Sequence, residues 1–195
     1  MPAFKQLPDD VLDSITKRVG DRLSRILPAT LGSDTSIRLH ETIDIWTLDS
    51  DALIQPTVDL IRLAKRTGRW HHQIKVNNVP QAYAQSLPQG ADPDTWLVVG
   101  VFSSDLAKKI DEVIDFIDHN DLINKRLAAD AIVRLLVIPT YHLHAFWLLD
   151  EKNQIIVIIE ALSENERLPS KRVFLSSSEF LSELRSIRSA QGLIF

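Results

Sequence analysis

The sequence contains no cysteine, and this absence excludes several kinds of site at once. Disulfide cross-links, thiolate metal ligands, cysteine nucleophiles and thiol-based redox control all need a residue that the chain does not have. Glycine is also scarce, with six residues, and none of the glycine-rich patterns that cradle phosphate groups occurs. We therefore expect no classical nucleotide-binding loop and no cofactor.

The charge and hydropathy of the chain do not favour nucleic acid or membrane. With 22 basic and 26 acidic residues, the formal net charge is −4, so no overall positive field attracts phosphates. The most apolar region, residues 131–149, is interrupted by Arg134, His142 and His144. The first residues lack the basic start and continuous apolar core of a signal peptide. We expect a soluble, cytoplasmic protein.

The composition is typical of a globular chain. Hydrophobic residues make up 45% of the sequence and charged residues 25%, as in proteins that fold around a core. The length favours one domain over two, because two domains would each build a core from about a hundred residues or fewer. We therefore expect a single domain over residues 1–195.

Apolar residues with helical spacing predict about four helices. In the first, an N-terminal helix at about residues 9–27, Ile15, Val19 and Leu23 recur every fourth position. The others are expected at 56–67, 105–118 and 177–189. Ser176 and Glu179 have the spacing of a capping box, which predicts the start of the last helix.

Strands are predicted where apolar residues alternate or form short continuous runs. The segments "SIRLHETIDIW", "WHHQIKV" and "TWLVVGVF" fit this pattern, the last as a buried strand. Towards the C-terminus, "AIVRLLVIP", "YHLHAFWLL" and "IIVIIE" follow one another, and the five residues "DEKNQ" favour a hairpin between the last two. Three prolines within residues 78–94 predict a long loop.

Neighbouring strands near the C-terminus, with helices before and after them, favour an α+β fold over an alternating βαβ plan. We expect one mainly antiparallel sheet of about five to six strands packed by about four helices. The central strands are apolar on both faces, so either helices cover both faces or a second subunit covers one. A homodimer is therefore one expectation.

The histidines His142 and His144 lie one residue apart in a strongly apolar segment. If this segment is a strand, both imidazoles project from one face, as they do where two histidines hold one metal ion. Asp150, Glu160 or His72 would supply a third ligand. In the alternative interpretation, which we favour, both histidines are neutral, hydrogen-bonded side chains of a partly buried strand.

His72, Tyr83 and Trp96 are further candidates for a ligand site. Adjacent residues of a strand point to opposite faces, so His72 is expected to face inward and His71 to be solvated. An inward histidine is either an acid/base group or a satisfied core residue. Tyr83 belongs to the predicted loop and Trp96 borders it, and these aromatic residues either line a cleft or only hold the loop in place.

Two predicted helices carry stripes of like charge at helical spacing. The basic stripe consists of Arg18, Arg22 and Arg25, and the acidic stripe consists of Asp111, Asp115 and Asp118. Each stripe is either a solvated helix face or a contact surface. In the second interpretation the stripes meet each other, or the basic stripe binds an acidic partner.

The sequence as a whole favours a non-enzymatic binding or protein-interaction domain with a protein partner or a second copy of itself. A small-molecule ligand remains open, and the expected partners include neither nucleic acid nor membrane. The alternative is a small-molecule enzyme or binding protein with a metal or acid/base site on the central sheet. That site would lie around His142 and His144.

Overall fold

The computed structural model describes residue 4 and residues 7–26, 35–57, 59–90, 92–161 and 174–190. The helices among them are α1 (Asp9–Ile26), α2 (Leu60–Leu63), α3 (Asp105–Asp118), α4 (Asp121–Arg126) and α5 (Ser177–Ala190). The strands are β1 (Ile37–Thr47), β2 (Lys65–Val76), β3 (Val79–Pro88), β4 (Trp96–Phe102), β5 (Ile132–Ile138), β6 (Leu143–Leu149), β7 (Gln154–Ala161) and β8 (Phe174–Ser176). Of the predicted segments, Leu27, Val58 and Ala91 lie outside the described residues.

The fold is α+β and is built on one sheet, as predicted. Its strands are hydrogen-bonded in the order β4-β3-β2-β1-β5-β6-β7-β8. The pairs β2–β3, β3–β4, β5–β6, β6–β7 and β7–β8 are antiparallel. The predicted numbers of strands and helices were too low. The described part of the chain holds eight strands and five α-helices, compared with the expected five to six strands and four helices. None of its helices is long and apolar enough to cross a membrane.

The described residues divide into two compact units. The N-terminal unit contains those within 4–44 and 68–112, and the C-terminal unit contains those within 45–67 and 113–190. The chain passes between the units within β1, β2 and α3. Because the described residues form two units, the expectation of a single domain over residues 1–195 stays a prediction.

The core of the N-terminal unit lies between α1 and the sheet. Val11, Ile15, Val19 and Leu23 recur every fourth residue of α1 and are buried, so one stripe of the helix faces the sheet. The strand residues of this core are Trp70, Ile74, Val76, Ala82, Ala84, Trp96 and Val98. Burial of each large aliphatic side chain stabilises the fold by about 1.5–3 kcal/mol. We call this side of the sheet the α1 face.

The opposite side of β2 contacts the first turns of α3, and we call it the α3 face. The side-chain amide of Gln73 donates a hydrogen bond to the carbonyl of Ala107. The ammonium of Lys75 lies 3.0 Å from a carboxylate oxygen of Asp111. One residue of the acidic stripe is therefore paired within its own unit.

The core of the C-terminal unit lies between its strands and α5. The buried residues of α5 recur at helical spacing and are Phe180, Leu181, Leu184 and Ile187. Trp147 of β6 belongs to the same core and is fully buried. The capping box is confirmed, because the Ser176 N–H donates to the Glu179 carboxylate and the Glu179 N–H donates to Ser176 Oγ. This box fixes the start of α5.

Arg185 ties α5 to the 3-10 turn over Ser50–Ile54 and to the residues that follow it. Its guanidinium donates to the carbonyls of Leu53, Gln55 and Thr57 at 3.1, 2.7 and 2.5 Å. Because the fork of donors in arginine reaches several acceptors at once, lysine is not an equivalent side chain here.

We expect Arg185→Ala to lower the free energy of unfolding by about 2 kcal/mol, since hydrogen bonds from a charged donor are lost and part of their value is recovered by water. Arg185→Lys should recover only part of this loss. The matched control is Arg62→Ala, which removes a guanidinium that is 78% exposed and should cost less than about 0.5 kcal/mol. Chemical denaturation measures all three, and equal losses for Arg185→Ala and Arg62→Ala would contradict the expectation.

The predicted loop over residues 78–94 is wrong, because β3 occupies most of it. Asn77 and Asn78 have φ values of 51° and 65° and form the tight turn between β2 and β3, a conformation that asparagine tolerates well. Pro80 lies where the register of the pair shifts by one residue, so its missing N–H does not interrupt a regular ladder. Proline content alone therefore misidentified a strand as a loop.

The predicted helix over residues 56–67 is also largely wrong. Only α2, one turn long, forms within it, and β2 has already begun at Lys65. Gly68 was expected to end a helix, but it lies inside β2 with a φ of 74°. Glycine adopts this left-handed conformation without a steric penalty, so it marks an irregularity within a strand here.

Candidate functional site

The structure does not place His142 and His144 together on one strand face, so that prediction is wrong. Pro139–Tyr141 form a 3-10 turn between β5 and β6, and His142 ends it in the left-handed conformation with a φ of 45°. Pro139 cannot donate a ladder hydrogen bond, which favours a break of this kind. His142 is exposed and precedes β6, whereas His144 lies within β6 and is partly buried.

His144 is paired with a carboxylate of the neighbouring strand. Its Nδ1 lies 3.2 Å from Oε1 of Glu160, and the two residues are cross-strand partners of β6 and β7. Burial lowers the pKa of His144, while the Glu160 carboxylate acts in the opposite direction. The described part of the chain contains no group of three or more histidine, aspartate or glutamate side chains that would hold a metal ion.

Asp150, considered above as a third ligand, has a structural role instead. Its carboxylate accepts backbone hydrogen bonds from Ala128, Lys152 and Asn153 at 2.8, 2.7 and 2.6 Å. These bonds, the one from Ala128 foremost, lower the pKa of Asp150 to about 2. The carboxylate therefore stays ionised and organises the turn of the hairpin between β6 and β7, which the sequence predicts correctly.

His72 is a satisfied core residue of the N-terminal unit. Its ring lies between two hydroxyl groups, with Nδ1 3.2 Å from Thr42 Oγ1 and Nε2 2.6 Å from Ser86 Oγ. All three residues are buried. Burial lowers the pKa of His72 to about 3, so the ring is neutral at physiological pH. In this arrangement one ring nitrogen donates and the other accepts.

His71, expected to be solvated, is fully buried, because both faces of β2 are covered. On the α3 face it begins a row of stacked rings that runs across three strands. The ring centroids of His71 and Tyr83 are 4.9 Å apart, and those of Tyr83 and Phe102 are 5.0 Å apart. We call these three residues the ring ladder. It reaches from β2 to β4, which is the end strand of the sheet.

Tyr83 and Trp96 do not line one cleft. Tyr83 lies in β3 between Ala82 and Ala84, whose side chains point to the α1 face, so the tyrosine ring lies on the α3 face. Trp96 is buried on the α1 face, where its ring centroid is 6.2 Å from that of Trp70. The two sequence candidates are therefore on opposite sides of the sheet.

The exposed apolar surface of the N-terminal unit is concentrated on β4. Leu97, Val99 and Phe102 are 42%, 41% and 42% exposed, which corrects the prediction that this strand is buried. Among the strands described, β4 pairs only with β3. The register of this pair shifts so that Val99 has no partner in β3. We call the outer side of β4 the β4 edge.

The basic stripe of α1 lies beside this edge. Arg18 donates to the carbonyls of Trp96 and Asp94 at 2.5 and 2.8 Å and so fixes the helix against the start of β4. A groove of about 240 Å³ runs between the helix and the strand. Its lining residues are Arg18, Asp21, Arg22, Arg25, Leu97 and Val98. We call it the arginine groove.

Arg22 and Arg25 are exposed and line the groove. The sequence identified the basic stripe but not the strand beside it, because helical spacing shows which residues share a face and not what the face adjoins. The two adjacent valines in "LVVGVF" interrupt the alternation of a regular strand and were the available signal of an irregularity. Adjacent apolar residues are also typical of a buried strand, so the signal was ambiguous.

Compared with protein-family models, curated proteins and solved structures, the chain has no match.

Proposed function

We propose that this chain is a protein-interaction domain whose β4 edge binds an extended, acidic segment of another protein by strand addition. In this mode the segment becomes a further strand of the sheet: main-chain hydrogen bonds supply affinity, and alternate side chains supply specificity. The observation that carries the proposal is an end strand with three exposed apolar side chains beside an arginine-lined groove. The cytoplasmic location expected from the sequence stays a prediction.

The apolar character of the β4 edge supports a binding role. An exposed apolar end strand is a liability in a protein that has no partner for it, and charged side chains usually protect such edges. The β4 sequence, "WLVVGVF", contains no charged residue. An added strand would cover Leu97, Val99 and Phe102 and remove their apolar surface from water.

The charge of the arginine groove favours another protein over a second copy of this chain. In a symmetric pair joined through two antiparallel β4 strands, both copies of α1 would lie on the same side of the shared sheet. The arginines of the two helices would then approach each other, and like charges that face each other disfavour association. A segment with carboxylate groups meets the same surface with complementary charge.

The proposal is tested with a peptide library displayed on phage and selected on the full chain. We expect the selected peptides to lose at least about tenfold in affinity for Val99→Lys, because an added strand would bury the new ammonium against apolar surface. The matched control is Val79→Lys, the same substitution at a valine that is 53% exposed and lies outside β4. It should bind like the unmodified chain, as measured by fluorescence anisotropy.

Methylation of alternate backbone nitrogens in a selected peptide adds a second measurement. One of the two methylation patterns should abolish binding, since it removes the donors that pair with β4. Equal binding to Val99→Lys and the unmodified chain, or no effect of either pattern, would refute strand addition. Light scattering that shows a dimer lost only in Val99→Lys would assign the edge to a second copy instead.

A further inference from the structure

We infer that the bound segment alternates acidic and aromatic residues, with the acidic side chains in the arginine groove and an aromatic ring against Phe102. This inference rests on the proposed function, because it specifies the side chains of a strand added at the β4 edge. It makes Arg22, Arg25 and Phe102 the residues that determine specificity.

The alternation follows from the geometry of a strand. Successive side chains of an added strand point to opposite faces of the sheet, so every second residue meets the α1 face and the residues between meet the α3 face. At the β4 edge these two faces differ in chemistry. The arginine groove adjoins the α1 face, whereas the ring ladder ends on the α3 face.

On the α1 face the groove selects for carboxylates, because its three arginines outnumber the one carboxylate, Asp21, in its lining. Arg18 is held by two backbone carbonyls and so keeps the wall of the groove in place. Arg22 and Arg25 are one helical turn apart and exposed, so their guanidinium groups are available to an incoming segment. A guanidinium forms two parallel hydrogen bonds to one carboxylate, which an ammonium cannot match. Acidic residues two positions apart would face these two arginines.

On the α3 face the ring ladder selects for an aromatic side chain. The stacked rings of His71, Tyr83 and Phe102 advance by one strand at each step, with centroids 4.9 and 5.0 Å apart. Adjacent strands have a similar spacing, so the next position of the ladder lies on the added strand. A ring placed there would continue the stack, a contact that contributes beyond its buried area.

Gly100 leaves room for the ring of Phe102. A Cβ at this position would lie 2.5 Å from Cζ of Phe102, so glycine allows the phenyl ring to lie against the strand. With 42% of its surface exposed, Phe102 still offers part of its ring to a ligand.

Three synthetic peptides of equal length test the inference: alternating phenylalanine and glutamate, alternating phenylalanine and lysine, and alternating serine and glutamate. We expect the phenylalanine–glutamate peptide to bind the unmodified chain at least about tenfold more tightly than either of the others. The double variant Arg22→Glu, Arg25→Glu should reverse the order of the two phenylalanine peptides. Lys17→Glu, which changes an exposed charge of the same helix outside the groove, should preserve it.

The outcomes separate this inference from the proposed function. If the glutamate and lysine peptides bind equally well and Val99→Lys weakens both, strand addition stands and selection by charge is refuted. If Phe102→Leu leaves the advantage of phenylalanine over serine unchanged, the ring contact is refuted. If peptides from the library bind in the Val99-dependent manner but the phenylalanine–glutamate peptide does not, the alternation is refuted. If Val99→Lys weakens no peptide, the proposed function itself fails.

Discussion

A drop in pH from 6.5 to 4.5 should lower the free energy of unfolding by about 2 kcal/mol through His72 alone. The cause is the position of the ring between Thr42 and Ser86, where both nitrogens are occupied and the side chain is fully buried. A buried imidazolium without a counterion is costly, so folding holds this histidine neutral.

The direction follows from the two pKa values of His72. In the unfolded chain the ring takes up a proton near the ordinary value of 6.5, whereas burial lowers its pKa in the folded chain to about 3. Between these values the unfolded state binds one more proton than the folded state. The contribution of His72 to the free energy of unfolding is therefore fully present above pH 6.5. Below that pH it falls by about 1.4 kcal/mol for each pH unit, down to about pH 3.

Equilibrium urea unfolding at several pH values measures this slope. His40 and His144 also have lowered pKa values, so the unmodified chain should lose more than the share of His72. The difference between its profile and that of His72→Gln isolates this share. His142→Gln, the same substitution at an exposed residue, should retain the share of the slope that is due to His72. Parallel profiles for the unmodified chain and His72→Gln would show that His72 is not held neutral.

The elements that could be predicted from the sequence are those fixed by local patterns. Helix α1 has buried residues at every fourth position, α5 begins with a capping box, and the hairpin of β6 and β7 joins two apolar runs. In each case the residues that specify the element are close together in the chain. Such elements can therefore be predicted without knowing the order of the strands in the sheet.

The prediction failed where tertiary contacts decide the outcome. The apolar residues of β3 on the α1 face are Ala82 and Ala84, which are too small to produce a clear alternating pattern. His71 appeared to face solvent because adjacent strand residues point to opposite faces, yet a central strand has two covered faces. The central position of β2 depends on pairing between segments that are far apart in the sequence, so a local pattern does not reveal it.

The candidate site could be predicted only in parts. The basic stripe was visible from helical spacing, and Tyr83 was recognised as a candidate, although it was assigned to a loop and paired with Trp96. What could not be read was that β4 ends the sheet and that α1 lies beside it. Both facts depend on the order in which strands assemble, and many orders are compatible with the same strand segments.

The cluster around Trp147 in the C-terminal unit leads to a second large expected effect. The ring centroids of Trp46 and Trp147 are 5.6 Å apart at an angle of 89°, an edge-to-face contact. The guanidinium carbon of Arg134 lies 4.0 Å from the centroid of Trp46 and 4.7 Å from that of Trp147. Trp147 is fully buried, whereas Trp46 is only partly buried.

We expect Trp147→Ala to lower the free energy of unfolding by about 3–5 kcal/mol, because the lost ring leaves a cavity between β6 and the core that surrounding side chains fill only partly. Trp46→Ala should cost clearly less, since a partly exposed ring contributes less burial. Trp147→Phe should cost less than Trp147→Ala, because the phenyl ring keeps most of the packing. Its loss of the indole N–H carries little penalty, since that group has no acceptor among the described residues.

Urea unfolding at pH 7.5, where the His72 contribution is constant, separates these three variants from the pH effect. A cost near 4 kcal/mol is a large fraction of the 5–15 kcal/mol that is typical of folded domains, so Trp147→Ala should unfold at a clearly lower urea concentration than the unmodified chain. The same loss for Trp46→Ala and Trp147→Ala would contradict the difference in burial on which the expectation depends. A loss below about 1 kcal/mol for Trp147→Ala would show that its ring does not fill the core as described.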